Sequence, residues 1–151
     1  MIEGVNEKPL RTIPDQRGRL TELVRCDDED FVQFGQVYLS VTLPGVVKGW
    51  HLHTRQYDMV ACVSGMILLV LYDAREGSPT HGEINEFYLG THAMKRVRVP
   101  AGVHHGWKCV SVQEAMVINL TSELYNYDDP DEIRMDPHDN TIPYDWTRRD
   151  G

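Results

Sequence analysis

Short runs, most alternating apolar with polar residues and one continuously apolar, separated by turn signals, constrain this chain more than any other feature. They fall at residues 36–42 (QVYLSVT), 46–53 (VVKGWHLH), 58–65 (DMVACVSG), 66–73 (MILLVLYD), 84–90 (INEFYLG), 95–100 (KRVRVP) and 114–121 (EAMVINLT). Period-two alternation puts every second side chain on one face of a strand. LPG, SG, REGSPTHG and PAG stand between the runs and supply turn residues. No stretch before residue 120 carries a helical period. Many short strands at this spacing predict an all-β antiparallel sandwich or barrel. After Thr121 the chain turns acidic and proline-bearing, SELYNYDDPDEIRMDPHDNTIPYDW. Leu124, Tyr125, Ile133, Met135, Ile142, Tyr144 and Trp146 make this segment too apolar for a solvated tail. It is expected to pack on the barrel as loops and short helical turns.

A chain of 151 residues suits one domain with one core. The formal net charge of −8 argues against nucleic acid or an anionic membrane as partner, but leaves room for an anionic ligand in a local basic pocket. The longest apolar run, residues 66–72, is far short of a membrane span. The opening MIEGVNEKPLR lacks the basic and apolar regions of a secretory leader. Cys26, Cys62 and Cys109 form no CxxC, so reduced thiols and a cytoplasmic location are expected.

The stretch KGWHLHTRQYD, residues 48–58, carries the chemistry. On a strand, His51 and His53 project to the same face. Gly45, His51, His53, Asp58 and Gly65 have spacing that resembles the first cupin motif, with Asp58 in place of its usual glutamate. PAGVHHGW, residues 100–107, resembles the second motif, whose histidine would be His105. As a set, His51, His53, Asp58 and His105 would suit one divalent transition metal: nickel, iron, manganese or zinc.

The resemblance extends further. DQRGRLTE, FGQVYLSVTLPGVVKGWH, YDAREGSPTHG, VPAGVHHGW and LTSELYNYDDPDEIRMDP occur in the order seen in the dTDP-4-dehydrorhamnose 3,5-epimerase family, from about Asp15 to Asp136. The resemblance implies a double-stranded β-helix (jelly-roll) barrel over about 15–121, with a packing segment over about 122–151, and a homodimer. It also implies inversion of carbons 3 and 5 of a nucleotide-linked 4-keto-6-deoxy sugar, without a cofactor. The ketone acidifies the neighbouring C–H bonds, so the reaction needs a base, an acid on the opposite face and a group that steadies the enolate. By resemblance His51 is the base, Tyr125 the acid and Asp136 the partner that orients His51. Arg17, Glu22, Gln36, Lys48 and His105 would bind substrate, Arg17 and Glu22 across the dimer. Asp73, Arg75, Ser78, Pro79 and Thr80 match a segment read as structural.

Two positions depart from the family. His53 replaces a frequent glutamine, and Asp58 stands where a catalytic lysine is expected. A metal could replace that lysine as Lewis acid. A histidine bound to metal cannot also take a carbon-bound proton, so His104 or Tyr125 would then be the base. A metal-dependent cupin isomerase or oxygenase, and a non-catalytic sugar-binding barrel, are the alternative readings.

Overall fold

The computed structural model describes residues 1–150. Its strands are β1 (Asn6–Pro9), β2 (Thr12–Asp15), β3 (Gly18–Thr21), β4 (Gln36–Thr42), β5 (Val47–Leu52), β6 (Asp58–Ser64), β7 (Met66–Asp73), β8 (Ile84–Gly90), β9 (Lys95–Val99), β10 (Val103–Cys109), β11 (Ala115–Thr121) and β12 (Ile133–Arg134). Each of the seven runs became a strand, with ends unchanged or moved by one residue, while β1, β2, β3, β10 and β12 lie outside them. There is no helix among the described residues, and so none long and apolar enough to cross a membrane.

Two five-stranded antiparallel sheets form the jelly-roll, in the orders β1-β9-β6-β11-β4 and β12-β5-β10-β7-β8. β2 and β3 pair only with each other, as a separate hairpin. Alternation decides what faces inward. Ala115, Val117, Asn119 and Thr121 of β11 are buried, as are Val103, His105, Trp107 and Cys109 of β10. Val60, Cys62, Val97 and Val117 of the first sheet meet Ile67, Leu69, Leu71, Phe87 and Leu89 of the second in one apolar core. Toward the other end the inward positions are polar: Gln36, Tyr38 and Ser40 of β4, His51 of β5 and His105 of β10. Apolar packing thus closes one part of the barrel and leaves a polar cavity in the rest.

The C-terminal segment differs from expectation: the short helical turns are absent. β12 adds two residues to the edge of β5, Ile133 opposite Leu52 and Arg134 opposite His51. The chain then lies as a strap on the outer face of the second sheet. Ile142 and Trp146 pack with Trp50 and Val70, and the Trp50 and Trp146 rings are 5.0 Å apart. Side chains that cap local backbone explain the missing helix. Asp136 accepts from the N–H groups of His138 and Asp139, Asn140 from Ile142, and Asp145 from Thr147. Such turns compete with the helical ladder, and Pro130, Pro137 and Pro143 interrupt it.

Candidate active site

The polar part of the barrel opens as a cavity of 790 Å³, within the range of small-molecule sites. A β-bulge shapes its wall. His51 lies opposite His105 and Lys48 opposite Trp107, so β5 uses one more residue than β10 between the two pairs. Strict alternation would send Lys48 and His51 to opposite faces. The extra residue lets both line the cavity and turns Trp50 outward under the strap. The strands pass closely here: a Cβ on Gly49 would lie 2.8 Å from the Cα of Gly106, so the crossing requires a residue without a side chain.

His51 projects from this bulge, largely buried. Burial first, and the charge of His105 second, push it down to about 4, so the imidazole is neutral at pH 7. Its Nε2 lies 3.9 Å from Oε1 of Glu132, whose other oxygen accepts from Arg134 at 2.6 Å. Tyr125 lines the same cavity, half-buried, with its ring 5.0 Å from that of Tyr127. Its N–H donates to Oε1 of Gln36 at 3.3 Å. Lys48 is anchored at the wall, donating to Oγ of Ser40 at 2.9 Å and to the Val41 carbonyl at 2.7 Å.

His53, Asp58 and His105 converge at the base of the cavity, all buried. Oδ2 of Asp58 is 3.0 Å from Nε2 of His105 and 3.4 Å from Nε2 of His53. Burial alone would raise the Asp58 carboxyl; contact with His105 and His53 outweighs it and holds the group far below the usual range. Burial likewise opposes charge on His53, and Asp58 reverses this to raise it.

The other predicted residues lie elsewhere. Asp136 does not line the cavity; it is exposed, and its carboxylate is taken up by the turn at 136–139. Glu132 occupies the place beside His51 that was expected of Asp136. His104 follows the alternation of β10 to the opposite face and packs near Tyr72, at 6.3 Å between rings, so it is no candidate base. Arg17 and Glu22 are exposed and pair locally with Asp15 and Arg25. His51 is absent from the close group of His53, Asp58 and His105.

Three residues escaped the sequence reading. Tyr38 lines the cavity between Gln36 and Ser40, a place that the alternation of β4 could have indicated. Burial, with the charge of Asp58, pushes its hydroxyl up to about 12, and it accepts from Nδ2 of Asn119 at 2.8 Å. Glu132 and Asp131 come from a segment without periodicity, and no local signal marked them. Asp131 accepts from the N–H groups of Thr54, Arg55 and Gln56, and its carbonyl meets Nδ1 of His53. It fixes the loop that carries His53.

Comparison with known proteins places the chain among sugar-modifying enzymes. The family model described as dTDP-4-dehydrorhamnose 3,5-epimerase matches residues 1–150. The probable low-salt glycan biosynthesis epimerase Agl13 of Haloferax volcanii is 42% identical over 147 residues, covering 96% of this chain and 94% of that protein. The dTDP sugar isomerase of Desulfovibrio desulfuricans superposes with a TM-score of 0.92 at 33% identity, covering 99% of this chain and 94% of that one. NovW, a 4-keto-6-deoxy sugar epimerase of Streptomyces spheroides, gives 0.86 at 30% identity, over 97% of this chain and 76% of its own.

Proposed function

The chain belongs to the dTDP-4-dehydrorhamnose 3,5-epimerase family, and we propose that it is an isomerase that inverts carbon 3, carbon 5 or both in a nucleotide-linked 4-keto-6-deoxyhexose. The observation that carries this reading is that His51 and Tyr125 border one cavity. A neutral, buried imidazole can take the proton alpha to the ketone. The C–H electron pair moves into the ring as an enolate, with its charge on the oxygen at carbon 4. Tyr125 returns a proton from the other side, and inversion results. Glu132 steadies the imidazolium that forms on His51. Lys48, a point charge at the cavity wall, attracts the diphosphate, while Gln36 contacts the sugar. Proton transfer of this kind needs no cofactor.

A homodimer completes the reading. β4 is an edge strand whose outward row, Val37, Leu39 and Val41, is exposed and apolar. Ile13 and Leu20 are exposed on the β2–β3 hairpin. A second copy would cover such surface and could bring Arg17 and Glu22 to its partner's cavity, since neither lines its own. The three free cysteines suit the cytoplasm.

The test is incubation in deuterium oxide with thymidine-diphosphate-linked 4-keto-6-deoxyglucose. Label is expected at carbon 3 or carbon 5. No incorporation, with this or other nucleotides, would refute the assignment.

A further inference from the structure

The group at the base of the cavity is unexplained by proton transfer between His51 and Tyr125. Asp58 is 1% exposed and His105 2%, and an aspartate rarely enters an interior unpaired. Their chemistry can be worked out ring by ring. Nδ1 of His53 faces the carbonyl of Asp131, and Nδ1 of His105 faces the carbonyl of Val103 at 3.2 Å. A carbonyl oxygen only accepts, so each Nδ1 carries a hydrogen. A neutral ring then presents a lone pair at Nε2, and the two Nε2 atoms lie 3.4 and 3.0 Å from Oδ2 of Asp58. No well-aligned donor reaches that oxygen, while Oδ1 accepts from Gln56 at 2.7 Å. Three electron-rich atoms thus meet out of water with no positive partner between them, an arrangement that is costly unless a cation joins it.

We propose that His53, Asp58 and His105 hold one divalent transition-metal ion, with His51 outside the ligand set. The donor atoms all lie within 4.8 Å of one another. The separations of 3.0 and 3.4 Å lie close to the edge of about 3.3 Å that follows for ligands roughly 2.0–2.1 Å from a tetrahedral centre. The Nδ1–H bonds to backbone carbonyls are the support that metal-bound imidazoles commonly have, and they fix which nitrogen is free. His53 and His105 also line the cavity, so an ion held by them would be reachable from it. Nitrogen and oxygen donors without thiolate suit zinc, nickel, iron or manganese.

An ion held by His53, Asp58 and His105 would supply Lewis acidity toward the oxygen at carbon 4, while His51 takes the proton. This role rests on the epimerase reading; ion binding does not. Because Nε2 of His51 lies toward Glu132 and outside the close group, the same site can keep a free base.

The test starts from metal-stripped full-length protein, offered Zn²⁺, Ni²⁺, Mn²⁺ or Fe²⁺ alone, with elemental analysis and calorimetry as readouts. One equivalent per chain is expected for at least one ion, with a raised Tm. His53→Gln and His105→Gln should each weaken binding by at least about 10-fold, while His51→Gln leaves stoichiometry and affinity unchanged. Absence of stoichiometric binding by every ion would overturn the proposal, and would mean that protons on the two imidazoles neutralise Asp58. Loss of binding in His51→Gln, with the fold retained by circular dichroism, would overturn the ligand set. Full deuterium exchange by stripped protein would remove the Lewis-acid role and leave the epimerase reading intact. Stoichiometric binding without exchange on any sugar would support the metal site and sink that reading instead.

Discussion

Glu132 lies 3.9 Å from Nε2 of His51 and is itself held by Arg134, so the proposed base has an oriented carboxylate beside it. Replacing it by glutamine keeps the shape and removes the charge. Glu132→Gln is expected to lower turnover about 10-fold, the scale of one lost charged contact. Asp136→Asn should stay within about twofold, as an exposed substitution away from the cavity. Steady-state rates on the 4-keto sugar decide between the two, and the opposite order would return the role to Asp136. Tyr125→Phe removes the proposed acid and leaves the proposed base in place. Net inversion is expected to fall about 10²–10⁴-fold, while exchange of the proton taken by His51 persists. Mass spectrometry of the sugar in deuterium oxide separates the two effects, and equal loss of both would count against Tyr125 as acid.

At the scale of elements, the loop between β7 and β8 shows how one buried carboxylate organises a turn. Asp73 is fully buried and accepts from Arg75, Ser78 and Thr80 at 2.7–2.8 Å. Arg75 also donates to the carbonyl of Glu3, which ties the N-terminus to this loop. The Arg75 guanidinium foremost, against the opposing effect of burial, holds Asp73 well below the usual carboxylate range. A depressed folded pKa contributes stability that is present above the unfolded value of about 3.9 and lost as pH falls through the folded one. Asp73→Ala is expected to cost about 3 kcal/mol at pH 7 by breaking the pair from one side. The gap between variant and wild type in urea denaturation should narrow as pH falls below about 4, and a gap constant with pH would refute the account.

Across the whole molecule, two surfaces of β-sheet are treated differently. The strap of residues 135–147 covers the outer face of the second sheet, where Trp146 is 4% exposed against Trp50. Trp146→Ala should cost about 3–5 kcal/mol, a large cavity in a small secondary core; chemical denaturation measures it, and a loss below about 1 kcal/mol would mean that the strap is only loosely docked. The first sheet has no such cover over β4. Leu39, 54% exposed on its outward row, is the residue to charge. Leu39→Glu is expected to convert the proposed dimer to a monomer by light scattering at micromolar concentration. If Arg17 and Glu22 serve the partner's cavity, activity falls with it; a wild-type monomer would sink the dimer.

The apolar runs by themselves determined seven of the twelve strands, because burial in a sheet demands a period of two, or a continuous apolar stretch, that local sequence carries; β1, β2, β3 and β12 have no buried residue and carry no such signal. The pair His51 and His53 was legible for the same reason, and family resemblance supplied the cavity neighbours Gln36, Lys48, His105 and Tyr125. Tertiary structure decided the rest. That Lys48 and His51 share a face depends on a bulge set by β10 and by the close passage of Gly49 and Gly106. The carboxylate beside His51 is Glu132 because β12 pairs with β5, a contact between segments about 80 residues apart. The tail forms no helix because its Asp and Asn side chains capture the backbone N–H groups first. The separation of His51 from the group of His53, Asp58 and His105 also lies beyond spacing: four side chains on one motif can point inward together, but only the packed barrel sets which donor atoms meet.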